Sequence, residues 1–180
     1  MNDVILLAFY ILLVGAALQD IAALKISNLF PIATIMLFGV WLFANGLPTD
    51  IWQNGVRFLL IAALGIGLFA AGWLGGGDVK LLAAGALWFD LSGGLWLFIY
   101  MSLSGGLLSL LLVFGRRIIP AAAPDKLRWP ALRPKGPIPY GIAISTGIAL
   151  ALALHGPDPS GRKMLPDVDL SAFPAAKADR

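Results

Sequence analysis

The sequence predicts an all-α, polytopic membrane protein of about six transmembrane helices, the fourth of them short. Two observations carry that prediction. The 180-residue chain is 59% apolar and only 13% charged, whereas soluble domains average about 45–50% apolar and about 25% charged. The apolar residues also gather into runs near the ~20 residues that a helix needs to cross a bilayer, with breaks of Gly, Pro, Asn, Asp and basic residues between them. The mean hydropathy of +0.85 agrees.

The runs follow in order. Val4 to Leu18 carries no charge, and Asp20 closes it. Leu29 to Leu47 is opened by Ser27 and Asn28, residue types that suit an N-cap. Val56 to Leu74 has Arg57 at its edge, and Lys80 to Phe89 is only about half a span. That fourth segment is expected to be short or re-entrant, which is tolerated where protein or water surrounds the backbone. Gly93 to Gly115 and Ile138 to His155 complete the set. Residues 1–155 thus read as a membrane domain, and 156–180, rich in Pro, Ala, Asp and Lys, as a flexible tail. The 119–139 connection holds six prolines and a basic bias and is expected to be irregular. The N-terminus Met1-Asn2-Asp3 lacks the basic region of a cleavable signal, so the first run is expected to stay in the membrane.

Composition excludes several chemistries. There is no cysteine, so disulfides and thiol catalysis are out, and the single histidine, His155, argues against a histidine metal site or a Ser-His triad. No cofactor, metal or nucleic acid is expected. The excess of Lys and Arg is explained first by membrane orientation. Lys25, Lys80 and the cluster Arg116, Arg117, Lys126, Arg128, Arg133 and Lys135 all fall in the first, third and fifth connections. The positive-inside rule places those connections in the cytoplasm and the N-terminus and tail outside. Asp20 and Asp78 then share the cytoplasmic face.

All ten acids are aspartates. An acid near membrane depth costs several kcal/mol, roughly 2.5–3.5 on insertion scales, and is a functional hypothesis by default. Asp78 follows Gly75-Gly76-Gly77, glycines that let other groups approach closely. It reads either as the N-cap of the fourth helix or as an acid aimed into a cavity. Asp20 by itself reads as an interfacial acid, paired with Lys25; with Asp78 on the same face it becomes half of a candidate dyad. Lys80, two residues from Asp78, either anchors the helix end by snorkelling or tunes the acid. Asp90 lies on the opposite side and reads as a cap for the fifth segment; Asp50 reads as a turn residue, and the other acids as solvated. Gly39, Gly65, Gly67, Gly85, Gly105 and Gly106 suggest close helix packing, and the six tryptophans an interfacial belt.

Taken together, Asp20 with Ile26-Ser27-Asn28, Gly75-Gly76-Gly77-Asp78-Val79-Lys80-Leu81 and the late Pro137-Ile138-Pro139-Tyr140-Gly141 run resemble the prepilin peptidases, intramembrane aspartyl proteases with a GxGD motif. The resemblance covers roughly residues 4–155. It implies that Asp20 and Asp78 are catalytic, with Gly75, Gly77, Lys80 and Asn28 as supporting motif residues. It departs where the family often has Ile-Pro-Asn and this chain has Ile26-Ser27-Asn28. Larger members carry a cysteine-paired cytoplasmic insert and also methylate the product; this chain has neither cysteine nor room for the insert. It is similar instead to the small stand-alone members of tight-adherence (Flp-type) pilus systems. The resemblance implies a bacterial inner-membrane endopeptidase cleaving pilin precursors, with membrane lipids and pilus-assembly machinery as further partners. The basic 119–139 connection either contacts anionic headgroups or only fixes topology. The rival readings are a small proton- or cation-coupled transporter or channel using the same two acids, and a structural subunit of a secretion or pilus machine.

Overall fold

A computed structural model of the chain describes residues 3–47, 51–118, 130–133 and 136–155. The expectations for the tail, for most of the 119–135 connection and for Asp50 lie outside the described residues. Among the described residues there are six α-helices and no strand: α1 (Asp3–Ala23), α2 (Leu29–Asn45), α3 (Ile51–Ala70), α4 (Gly76–Ala86), α5 (Leu91–Ile118) and α6 (Tyr140–His155), with a 3-10 turn at Pro130–Leu132 before α6. α1, α3 and residues 93–118 of α5 are long and apolar enough to cross a membrane; α2 and α6 are shorter apolar helices.

α4 organises the bundle. At 1.5 Å per residue its 11 residues reach roughly 16 Å, about half of a ~30 Å hydrocarbon core. Nearly every residue from Asp78 to Ala86 is buried, because α2, α3 and α6 all pack on it. A short helix apolar on all sides and rich in Ala and Gly is suited to that interior position. Its far end is fixed by Trp88, which lies against Phe9 of α1 (centroids 4.6 Å) and edge-on to Phe38 of α2 (5.6 Å). Asn54 of α3 donates to the Leu87 carbonyl at 2.8 Å. α5 and α6 form the most extensive helix pair, and α1 closes on α6 and α2. The outer surface is apolar, down to a Phe43 side chain that is 96% exposed, as expected of a lipid-facing shell.

Several expectations need correction. α1 continues through Ala23, so Asp20 lies inside its last turn and does not close it. α3 begins at Ile51, so Arg57 is not at the edge; it is buried in the second turn, on the α4-facing side with Asn54. α4 starts at Gly76, four residues earlier than the apolar run suggests, because the glycines themselves are helical. α6 starts at Tyr140, since Pro137 and Pro139 hold the preceding residues out of the helix. Trp41 and Trp88 are core residues, not interfacial ones, whereas Trp52 and Trp73 are exposed. Gly65, Gly85 and Gly105 do meet neighbouring side chains, but Gly39, Gly67 and Gly106 face open space.

Candidate active site

α1 carries Asp20 to one end of the bundle, where its side chain is buried with 4% exposure. The helix turns off just beyond it. Leu24 adopts a left-handed conformation (φ 51°), and its N–H donates to the Asp20 carbonyl at 2.8 Å. A branched residue is uncommon there and redirects the chain abruptly towards α2. Gln19 secures the turn by accepting the Ser27 N–H at 2.6 Å, a role the sequence analysis missed although Gln19 is a polar residue in an apolar run.

The Asp20 carboxylate meets the start of α6. The Gly141 N–H donates to Asp20 Oδ2 at 2.7 Å. The first N–H groups of a helix have no partner within it, and the helix dipole favours a negative charge there. Glycine is required by the closeness of the approach: a Cβ at 141 would lie 2.8 Å from Oδ2 and 2.9 Å from Cγ of Asp20. The sequence motif marks this region, but nothing local in it points to a bond with α1.

Asp78 has the same relation to α4. It is the third helical residue, not the N-cap; Gly75 holds the cap position in an extended conformation (φ −77°, ψ 151°). Asp78 Oδ2 reaches back to accept the Gly75 N–H at 3.0 Å, half of a capping box. The side chain is 9% exposed. Gly77 allows the α1–α2 connection to lie against the start of α4, since a Cβ there would stand 2.7 Å from the Ile26 carbonyl oxygen. Lys80 Nζ donates to Asn28 Oδ1 at 2.8 Å, tying α4 to the same connection. Asn28 occupies the N-cap position of α2 but makes no side-chain cap; Ser27 Oγ accepts the Leu29 N–H at 3.2 Å instead.

The two acids come together. Both line a cavity of about 910 Å³ bounded by α1, α3, α5 and α6, with Trp73, Met101, Gly105 and Tyr140 among its walls. They share a second cleft of about 400 Å³ with Lys25, Asn28 and Lys80. Among the described residues the other acids, Asp3 and Asp90, do not join them. Asp90 lies past the far end of α4, where Oδ1 accepts the Gly93 N–H at 2.6 Å and caps α5, as the sequence suggests. Asp3 is in the first turn of α1, at the opposite end of that helix from Asp20. His155 stacks on Trp96 (4.5 Å) and bonds Tyr100 at 2.9 Å, at the far end of α6 from Gly141. Among the described residues no three metal-binding side chains gather. Two carboxylates lining one cavity can divide the work of acid–base chemistry, the ionised one accepting a proton and the protonated one donating.

A comparison with protein families matches residues 7–110, more than half of the chain, to the type IV leader peptidase family. The chain belongs to that family. The match takes in Asp20, Asn28, Gly75, Gly77, Asp78 and Lys80, and stops before Arg116 and α6. No curated protein and no solved structure matches the chain. This membrane-spanning peptidase therefore carries both aspartates, and Gly75 and Gly77 beside Asp78, within the family's own segment, while Gly141 lies beyond it.

Proposed function

We propose that the peptidase is an intramembrane aspartyl endopeptidase in which Asp20 and Asp78 form the catalytic dyad. The observation that carries this reading is that two buried carboxylates, from helices far apart in sequence, line one cavity. One carboxylate takes a proton from water as the oxygen attacks the scissile carbonyl. The resulting tetrahedral intermediate collapses with proton donation from the partner to the leaving amine. The roles belong to the pair, since strongly interacting acids titrate as a unit. The N–H donors of Gly75 and Gly141 hold the two side chains in place. Lys80 and Asn28 serve to fix the start of α4 against the α1–α2 connection.

The substrate is the precursor of a type IV, Flp-type pilin: a short basic leader followed by an apolar helix. Cleavage occurs at the cytoplasmic face of the bacterial inner membrane, with the N-terminus and the tail outside. The support for that side is the clustering of Lys and Arg in the connections at the aspartate end. Residues 1–155 make up the peptidase domain. The absence of cysteine argues against the methyltransferase function of the larger members. Lipids and pilus-assembly machinery are its other partners.

The test mixes the purified protein in detergent with a candidate prepilin and follows the reaction by gel and mass spectrometry. The expected product has lost its leader and has an unmethylated N-terminus. An uncleaved precursor, together with acid-dependent ion flux in proteoliposomes, would instead favour the transporter reading.

A further inference from the structure

One basic residue at the aspartate end does more than carry charge. Arg116, in the last turn of α5, directs its guanidinium at backbone. Nε and Nη2 donate to the Ala131 carbonyl at 3.0 and 2.8 Å, and Nη2 also donates to the Gly136 carbonyl at 2.7 Å. The two carbonyls belong to a compact knuckle. Its Arg133 N–H bonds the Pro130 carbonyl at 3.3 Å, and its Gly136 N–H bonds the Arg133 carbonyl at 2.8 Å. Ala131 is fully buried, and Leu132 lies against Gly115, where a Cβ would meet it at 3.1 Å. Arg117, the next residue, is exposed.

The knuckle leads straight into the site. Residues 137–140 separate Gly136 from Gly141, and two of them are proline. Proline fixes φ, so this spacer is stiff and carries the position of its anchor forward. The Tyr140 N–H bonds the Ile138 carbonyl at 3.0 Å, and the Ile142 N–H bonds the Pro139 carbonyl at 3.3 Å, which sets the entry into α6. Pro137, Ile138 and Tyr140 form one wall of the cavity that holds both acids. At the end of the spacer the Gly141 N–H meets Asp20.

We propose that Arg116 is a positioning residue for the acid pair: its fork on Ala131 and Gly136 anchors the 137–141 spacer, and so holds the Gly141 N–H on Asp20. A planar guanidinium can bridge two carbonyls; a lysine ammonium is a point charge on a flexible stem and does not hold that fork. The inference rests on the reading that Asp20 acts in catalysis. It separates Arg116 from Arg117, which supplies the same charge at the same end but is exposed and makes no hydrogen bond to the knuckle among the described residues.

The test compares Arg116→Gln, Arg116→Lys and Arg117→Gln in the full-length protein, purified and checked for monodispersity, with prepilin as substrate. Arg116→Gln is expected to lower kcat about tenfold or more with KM within about twofold, the pattern of a misplaced reacting group. Arg116→Lys should fall with it, and Arg117→Gln should match the wild type. Hydrogen exchange followed by mass spectrometry should show faster exchange in residues 137–142 of both Arg116 variants, with α1 and α4 unchanged. If the glutamine variant does not stay folded, the lysine variant carries the same test. Wild-type kcat in Arg116→Lys would overturn the proposal, as would faster exchange throughout the helices, which marks a general structural role. Asp20→Asn in parallel separates the two claims. Full activity there sinks the dyad. An inactive Asp20→Asn beside Arg116 variants that behave like Arg117→Gln sinks only the positioning role.

Discussion

Replacing Gly141 with alanine tests how the chain seats Asp20. The added Cβ would stand 2.8 Å from Asp20 Oδ2, while ordinary contact begins near 3.4 Å, so the carboxylate must retreat by about 0.6 Å. The 2.7 Å bond from the Gly141 N–H then stretches to the edge of hydrogen-bonding range. A hydrogen bond to a charged group contributes about 1.5–3 kcal/mol. At 1.36 kcal/mol per tenfold in rate, its loss from the reacting geometry lowers turnover by roughly 10- to 100-fold. Folding should lose roughly 0.5–2 kcal/mol, because the helix preference of alanine over glycine, up to about 1 kcal/mol, offsets only part of the lost bond. The assay is cleavage of prepilin by purified protein, with kcat and KM determined separately, alongside thermal unfolding in the same detergent. Wild-type kcat at unchanged stability would refute the reasoning, since the placement of Asp20 would then not depend on Gly141.

Other substitutions probe the frame around the site. Gly147→Ala places a Cβ 2.7 Å from the Met101 N and Cα, backbone that cannot move aside, so it should separate α5 from α6. The expected cost is about 1–3 kcal/mol of stability, read as a lower Tm. Gly39→Ala and Gly67→Ala face open space and should be neutral or stabilising by up to about 1 kcal/mol in the same measurement. Asp90→Asn keeps an oxygen for the Gly93 N–H and should retain full prepilin cleavage.

Much of this architecture is legible in the chain because a bilayer leaves few options. Segment count and the short fourth element follow from run lengths. The common end of Asp20 and Asp78 follows from counting basic residues, and the structure brings the two acids to one cavity. What escapes sequence reasoning depends on long-range contact. The bond from Gly141 to Asp20 joins the last helix to the first and leaves no periodicity to read. Arg116 carries the same charge as Arg117 in a sequence; only the position of two carbonyls beyond a long connection distinguishes them. Trp88 shows the limit of compositional rules. A tryptophan at the end of an apolar run suggests an interface, but α4 ends inside the bundle, so its tryptophan packs in the core. The capping expectation for Asp78 fails for a related reason. Gly76 and Gly77 are themselves helical, which moves the cap to Gly75 and makes the acid the third residue of the helix.

The central claim is that Asp20 and Asp78 work as one catalytic unit. The most direct measurement is single-turnover cleavage of a prepilin by wild type, Asp20→Asn, Asp78→Asn and the double variant, each shown to be folded. The account predicts that each single variant loses roughly 10²–10⁴-fold in rate. It also predicts that the double variant is little worse than either, because residues acting as a unit are not additive. Either single variant cleaving at the wild-type rate would contradict it.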